Sequence, residues 1–157
     1  MHSRIYQIST KPIHKDDYIS EDKYYDHWFL NSVADYVNDD TDRAEDIQWF
    51  KDCYEKYGIS FGVDDSGEYF IIEDKLKYFE ANFKRFKEVF NELSSMTLEE
   101  FADGKCSMSM YQLKEAYEER FGFYVDGDEI GMSTLDEFVR YANETKWYIG
   151  ATIDYHC

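Results

Sequence analysis

The chain has 157 residues, of which 34 are acidic and 17 basic, for a net charge of −17. That balance argues against direct contact with nucleic acid or an anionic membrane, both of which demand a basic face. Aromatic residues make up 19% of the chain, far above an acidic disordered polymer, so a packed core is expected, with an accessible surface of roughly 8,000 Å² for this mass.

Other classes fall on pattern. No apolar run is long enough to span a bilayer, and the first residues lack the apolar stretch of a secretory signal. Cys53, Cys106 and Cys157 are widely spaced and odd in number, which reads as reduced thiols in a cytoplasmic protein. With Pro12 the lone proline and no Gly/Ser linker, the expectation is one domain over residues 1–157.

In chain order, Arg4–Ile8 is the first strand candidate. Ser20 is then positioned to cap a helix running to about Val37, with Tyr25, Trp28, Phe29, Val33 and Tyr36 inward. Asp42-x-x-Glu45 has the form of a capping box, and so do Thr97-x-x-Glu100, Ser109-x-x-Gln112 and Thr134-x-x-Glu137. Helices are expected to stop at Gly58 and Gly122, where glycine takes the left-handed conformation cheaply. Ile59–Val63 and Glu68–Ile72 flank Asp64-Asp65-Ser66-Gly67 as a hairpin with a four-residue turn. Phe121–Val125 is a weaker strand with a turn at Asp126-Gly127. Near the end, Trp147, Ile149, Ala151, Ile153 and Tyr155 alternate with smaller or polar residues, the clearest period of two in the chain.

The longest helix, Asp74 to Leu93, carries Leu76, Phe79, Phe83, Phe86, Phe90 and Leu93 at heptad spacing. Two readings follow: a coiled-coil dimer, or a central helix buried on one side by the sheet. Four phenylalanines suit globular packing better, so Phe83 and Phe86 are expected in the core. A faint echo links Tyr54–Asp64 with Tyr117–Asp126, without solenoid regularity. Strands and helices are segregated rather than alternating, so the expected fold is α+β, with a small, mostly antiparallel sheet of four to five strands and five to six helices.

Motifs for chemistry are sparse. Asp126 to Glu137 partly follows a calcium loop, but Ile130 stands where an oxygen ligand belongs. His2, His14, His27 and His156 share no metal spacing with one another or with the cysteines. Asp26 and His27, as neighbours in a helix, would point apart. Gly58-Ile59-Ser60-Phe61-Gly62 has the spacing of a nucleophile elbow in the wrong setting, helix to strand instead of strand to helix. No cofactor is implied.

The distribution of charge is more informative. Residues 16–68 hold 16 acids and four bases, and residues 99–137 hold 11 acids and three bases. Asp35, Asp39, Asp40, Asp42, Glu45 and Asp46 crowd one junction. Helix capping requires one or two carboxylates there, and the rest repel one another. Duplex DNA carries one charge per about 1.7 Å, so twelve net charges match roughly 20 Å of duplex. The expectation is therefore a non-enzymatic acidic protein that binds a basic protein surface, an inhibitor of the anti-restriction, anti-CRISPR or nuclease-immunity kind. Asp35, Asp39, Asp40, Asp42, Glu45, Asp46, Asp64 and Asp65 are its candidate contacts, and a nucleic-acid-binding enzyme its candidate partner. The alternatives are a homo-oligomerising structural or regulatory protein, or an enzyme of no recognisable motif.

Overall fold

The computed structural model describes residues 1–143 and 145–157. The alternating segment near the end becomes β7 (Lys146–His156), and the sheet is organised around it. Along one side it pairs antiparallel with β1 (His2–Ser9), from His2 opposite His156 to Ser9 opposite Tyr148. Its other side is shared. β4 (Gly67–Ile72) takes residues 146–148, and β2 (Tyr36–Asn38) takes residues 154–156. β3 (Ile59–Asp64) forms a hairpin with β4, while β5 (Tyr124–Gly127) runs parallel to β1 and pairs with β6 (Gly131–Thr134). The order is β3-β4-β7-β1-β5-β6, with β2 on β7, so seven strands replace the four or five expected. All pairings but β1–β5 are antiparallel.

The sheet is mostly antiparallel and the helices packed on it gather on one of its faces, which places the mixed fold in the α+β class. On one face, α1 (Arg43–Tyr54), the start of α2 (Lys75–Ser94) and α5 (Leu135–Tyr141) pack on Tyr6, Ile8, Phe70, Val125, Trp147 and Ile149. Phe50 is central there: its ring stacks on Tyr6 at 4.5 Å and meets Phe61, Phe70 and Phe123 edge-on at 5.0–5.7 Å.

The other face is covered by residues 15–34, and here the expected helix from Ser20 to Val37 does not form. The segment makes short 3-10 turns at Lys15–Asp17 and Glu21–Tyr24, and Asn31 turns left-handed at φ 70°. Tyr24, Phe29, Ala34 and Val37 are the buried positions, a spacing no helix would put on one face. Phe29 is driven instead against Tyr124 and Tyr155, with ring centroids 4.9 and 5.0 Å apart.

Local signals hold where chemistry is local. Asp42 caps α1, Thr97 and Glu100 form a complete capping box on α3 (Leu98–Ala102), and Thr134 caps α5. Gly58 ends the α1 segment at φ 85°, and a Cβ there would lie 2.4 Å from the Asp74 carbonyl oxygen. Four local expectations need correction. α4 (Ser107–Tyr117) starts before Ser109 and ends before Gly122, because Glu118 turns extended and the Glu119 N–H reaches the Asp136 carboxylate at 2.8 Å. The β3–β4 turn is two residues long, Asp65-Ser66. β5 continues through Gly127, so the turn falls at residues 128–130. Asp126 lies buried in that strand, bonded to the Tyr24 hydroxyl at 2.7 Å and the Lys23 ammonium at 2.9 Å, so its carboxylate is already committed.

The largest departure is α2. Its first turns join the body: Tyr78 stacks on Tyr54 and donates to Asp136 at 2.8 Å. The rest leaves it. Phe83 is 65% exposed, against the core position expected, and Phe86 is half-buried. No residue between Phe79 and Phe123 belongs to either core cluster. α2 and α4 pack on each other as an arm, so the heptad seam is not covered by the sheet.

Candidate functional site

The two ends of the first acidic block meet beside the gap that β4 and β2 leave along β7. Arg43, the first residue of α1, reaches into this gap. Its Nε donates to the Gly150 carbonyl at 2.6 Å, and its Nη2 donates to Ile149 at 2.8 Å and to the Glu68 carboxylate at 2.9 Å. Thr41 hydrogen-bonds Thr152, at its hydroxyl and its carbonyl, and so fixes the approach to the helix. The Asp42 carboxylate accepts from the Ala44 and Glu45 N–H groups at 3.0 and 3.1 Å. The loop from β2 to α1 is tied in turn to the 3-10 turn at Glu21. The Glu21 N–H donates to Asp39 at 3.2 Å, and the Asp39 N–H donates to Glu21 at 3.3 Å.

This lacing brings Glu21 against Asp39 on a rim that continues through Asp40 and Asp42, with Asp22 and Glu45 next to it along the chain. None of the six forms an ion pair among the described residues. Beside them opens a shallow depression of about 950 Å³, lined by Lys15, Tyr18, Ser20, Asp39, Asp40, Asp42 and Arg43 among others. Tyr25 and Trp28, expected inward, are instead 55% and 53% exposed on the segment that supplies the rim. The Tyr25 hydroxyl bonds Glu21 at 2.5 Å, and that carboxylate pushes its pKa up to about 12.

The remaining candidates divide. Asp46 is withdrawn as a surface contact: it is 4% exposed, and its carboxylate takes the Arg4 Nε at 2.6 Å and the Thr152 hydroxyl at 2.7 Å. Its position in the first turn of α1 turns it toward the sheet, where it shares the Arg4 guanidinium with Asp154. Asp35 is exposed but paired with His156 at 2.8 Å, and this contact lowers its pKa. Asp64 bonds the Lys146 ammonium at 2.8 Å and the Tyr148 hydroxyl at 2.9 Å, and Lys146 above all holds its pKa down to about 2. Asp65 is exposed in the hairpin turn. Glu21 and Asp22 were not among the expected contacts, yet Glu21 is bonded to Asp39 at the rim and Asp22 follows it. Their place in the same acidic block was the signal.

Two other loci carry polar chemistry. Pairing of β1 with β7 brings His2 and His156 together with ring centroids 5.0 Å apart, His2 on Asp154 and His156 on Asp35, with Tyr36 stacked on His156. A second depression of about 530 Å³ is lined by Phe138, Tyr141 and Trp147 with Glu129, Ser133 and Glu137. There Glu129 is held by the Thr10 hydroxyl and N–H at 2.7 and 3.1 Å, contacts that lower its pKa. No helix is long and apolar enough to cross a membrane among the described residues. Compared with protein-family models, curated proteins and solved structures, the chain finds no match.

Proposed function

We propose that the protein is a non-enzymatic binder of a basic protein surface, an inhibitor whose acidic rim takes the place of phosphates in a nucleic-acid-binding groove. The observation that carries this reading is the division of labour among its carboxylates. Asp46, Asp64 and Asp126 are each given a cation, whereas Glu21, Asp22, Asp39, Asp40, Asp42 and Glu45 form no ion pair among the described residues. Like charges held side by side destabilise the folded chain, and a basic partner would relieve that repulsion on binding. The exposed Tyr25 and Trp28 add anchorage beside it.

The test changes Asp39, Asp40 and Asp42 together to Asn. Volumes barely alter, and Asn caps a helix about as well as Asp, so folding should hold. A partner captured from the native host should bind the variant at least tenfold more weakly. Its binding to the parent should weaken steeply with salt as the screening length shrinks from about 10 Å at 0.1 M to about 3 Å at 1 M. Duplex DNA should compete with the parent for it. A partner that binds the variant equally well, or ignores both salt and DNA, would reduce the rim to a solvated surface.

A further inference from the structure

The arm is built unlike the body. From Lys75 to Tyr117 it carries seven basic and seven acidic residues, net zero within a chain of net −17. The accessible surface of 9448 Å² exceeds the roughly 8,300 Å² expected for the mass by roughly 1,100 Å², as a projecting arm with an uncovered side requires. On α2, Leu76, Phe83 and Phe90 recur every seven residues and are 83%, 65% and 49% exposed. At 3.6 residues per turn, this stripe lies about a quarter-turn from the line through Asn82, Val89 and Leu93, which is buried or half-buried. The Arg140 guanidinium lies over both Phe79 and Tyr117, 4.5 and 4.0 Å from the ring centroids. α4 therefore presents Tyr117, and Met110 seven residues before it, on the stripe's side, 51% and 55% exposed.

We propose that a second copy of this chain covers the stripe, its α2 antiparallel to the first about a two-fold axis, so that two arms close a four-helix bundle. A quarter-turn between the α4-facing line and the open stripe is the geometry such a bundle needs. The area is of the right order. At roughly 200 Å² per whole side chain, the three stripe residues leave roughly 380 Å² open on each copy, or about 750 Å² of apolar surface between two. Met110, Tyr117 and the lysine stems bring the total toward the about 1,200 Å² of a stable interface.

The charges select a second copy. With Phe83 packed against Phe86 of the second copy, Glu80 flanks the seam opposite Lys87 of the second copy, and the pair occurs twice by symmetry. Both residues are exposed, and neither is in an ion pair among the described residues. The antiparallel sense also sends two strongly acidic bodies to opposite ends of a helix about 30 Å long, whereas a parallel pair would set them side by side.

Sedimentation velocity of the full chain over a range of concentrations tests this. The parent should be a dimer in reversible equilibrium with monomer. Phe83→Asp should weaken the dimer by roughly thirty-fold or more, the loss expected for a central aromatic anchor, with circular dichroism unchanged because the ring is exposed. Glu80→Lys and Lys87→Glu should each weaken it, and the double variant should restore it. A parallel pair would set Glu80 against Lys75 instead, so the double variant would stay weak. A parent that remains monomeric, a dimer indifferent to Phe83→Asp, or a double variant as weak as the singles would overturn the assignment.

Discussion

Truncating Phe50 and Phe83 to alanine separates the body from the arm in one experiment. Phe50 is fully buried, so at roughly 200 Å² and about 25 cal/mol per Å² its transfer term is about 5 kcal/mol at most. Alanine keeps part of that burial, while the cavity and the lost edge-on contacts add to the cost, which sets the expected loss at about 3–5 kcal/mol. Phe83 keeps only about a third of its surface covered. Its transfer term is below about 2 kcal/mol, and alanine recovers several tenths through its better helix propensity, so the net cost is about 1 kcal/mol or less. Urea denaturation followed by circular dichroism, at concentrations low enough to keep the chain monomeric, measures both. A loss of 3 kcal/mol or more from Phe83→Ala in the monomer would mean that the arm folds back onto the body.

Three further outcomes follow from the geometry. Because Asp64 has its pKa lowered to about 2 by Lys146, the contact contributes its full stabilisation above the ordinary Asp range and loses it as pH falls through about 2. A carboxyl-carbon NMR titration should place the midpoint there, and Lys146→Met should raise it toward about 3.9; a midpoint unmoved by that substitution would refute the pairing. Arg43→Met should destabilise the fold by about 2–4 kcal/mol in urea, since the Ile149 and Gly150 carbonyls lose their donors in the gap beside β7. Deleting residues 146–157 should abolish the cooperative thermal transition, because β7 pairs with β1, β2 and β4; a transition at an unchanged temperature would contradict the topology.

How much the sequence determined follows the range of the physics involved. The caps at Asp42, Thr97 and Thr134, the left-handed stop at Gly58, the β3–β4 hairpin and the alternation of β7 each rest on residues within one or two turns of chain. All were legible without tertiary contacts. The acidic block was legible too, as a count. Which of its carboxylates are free was not. Asp46 and Asp39 look alike in sequence, but Arg4, 42 residues away along the chain, neutralises the first and not the second. The segment from Ser20 to Val37 misled because its aromatic residues approximate a helical period, while the positions that meet the sheet, Tyr24, Phe29, Ala34 and Val37, are spaced as no helix would put on one face. The heptad on α2 was read correctly as a pattern and wrongly as a core. A hydrophobic stripe specifies that a face wants covering; only the tertiary structure decides whether this chain supplies the cover, and here the sheet faces are already filled by α1, α5 and residues 15–34.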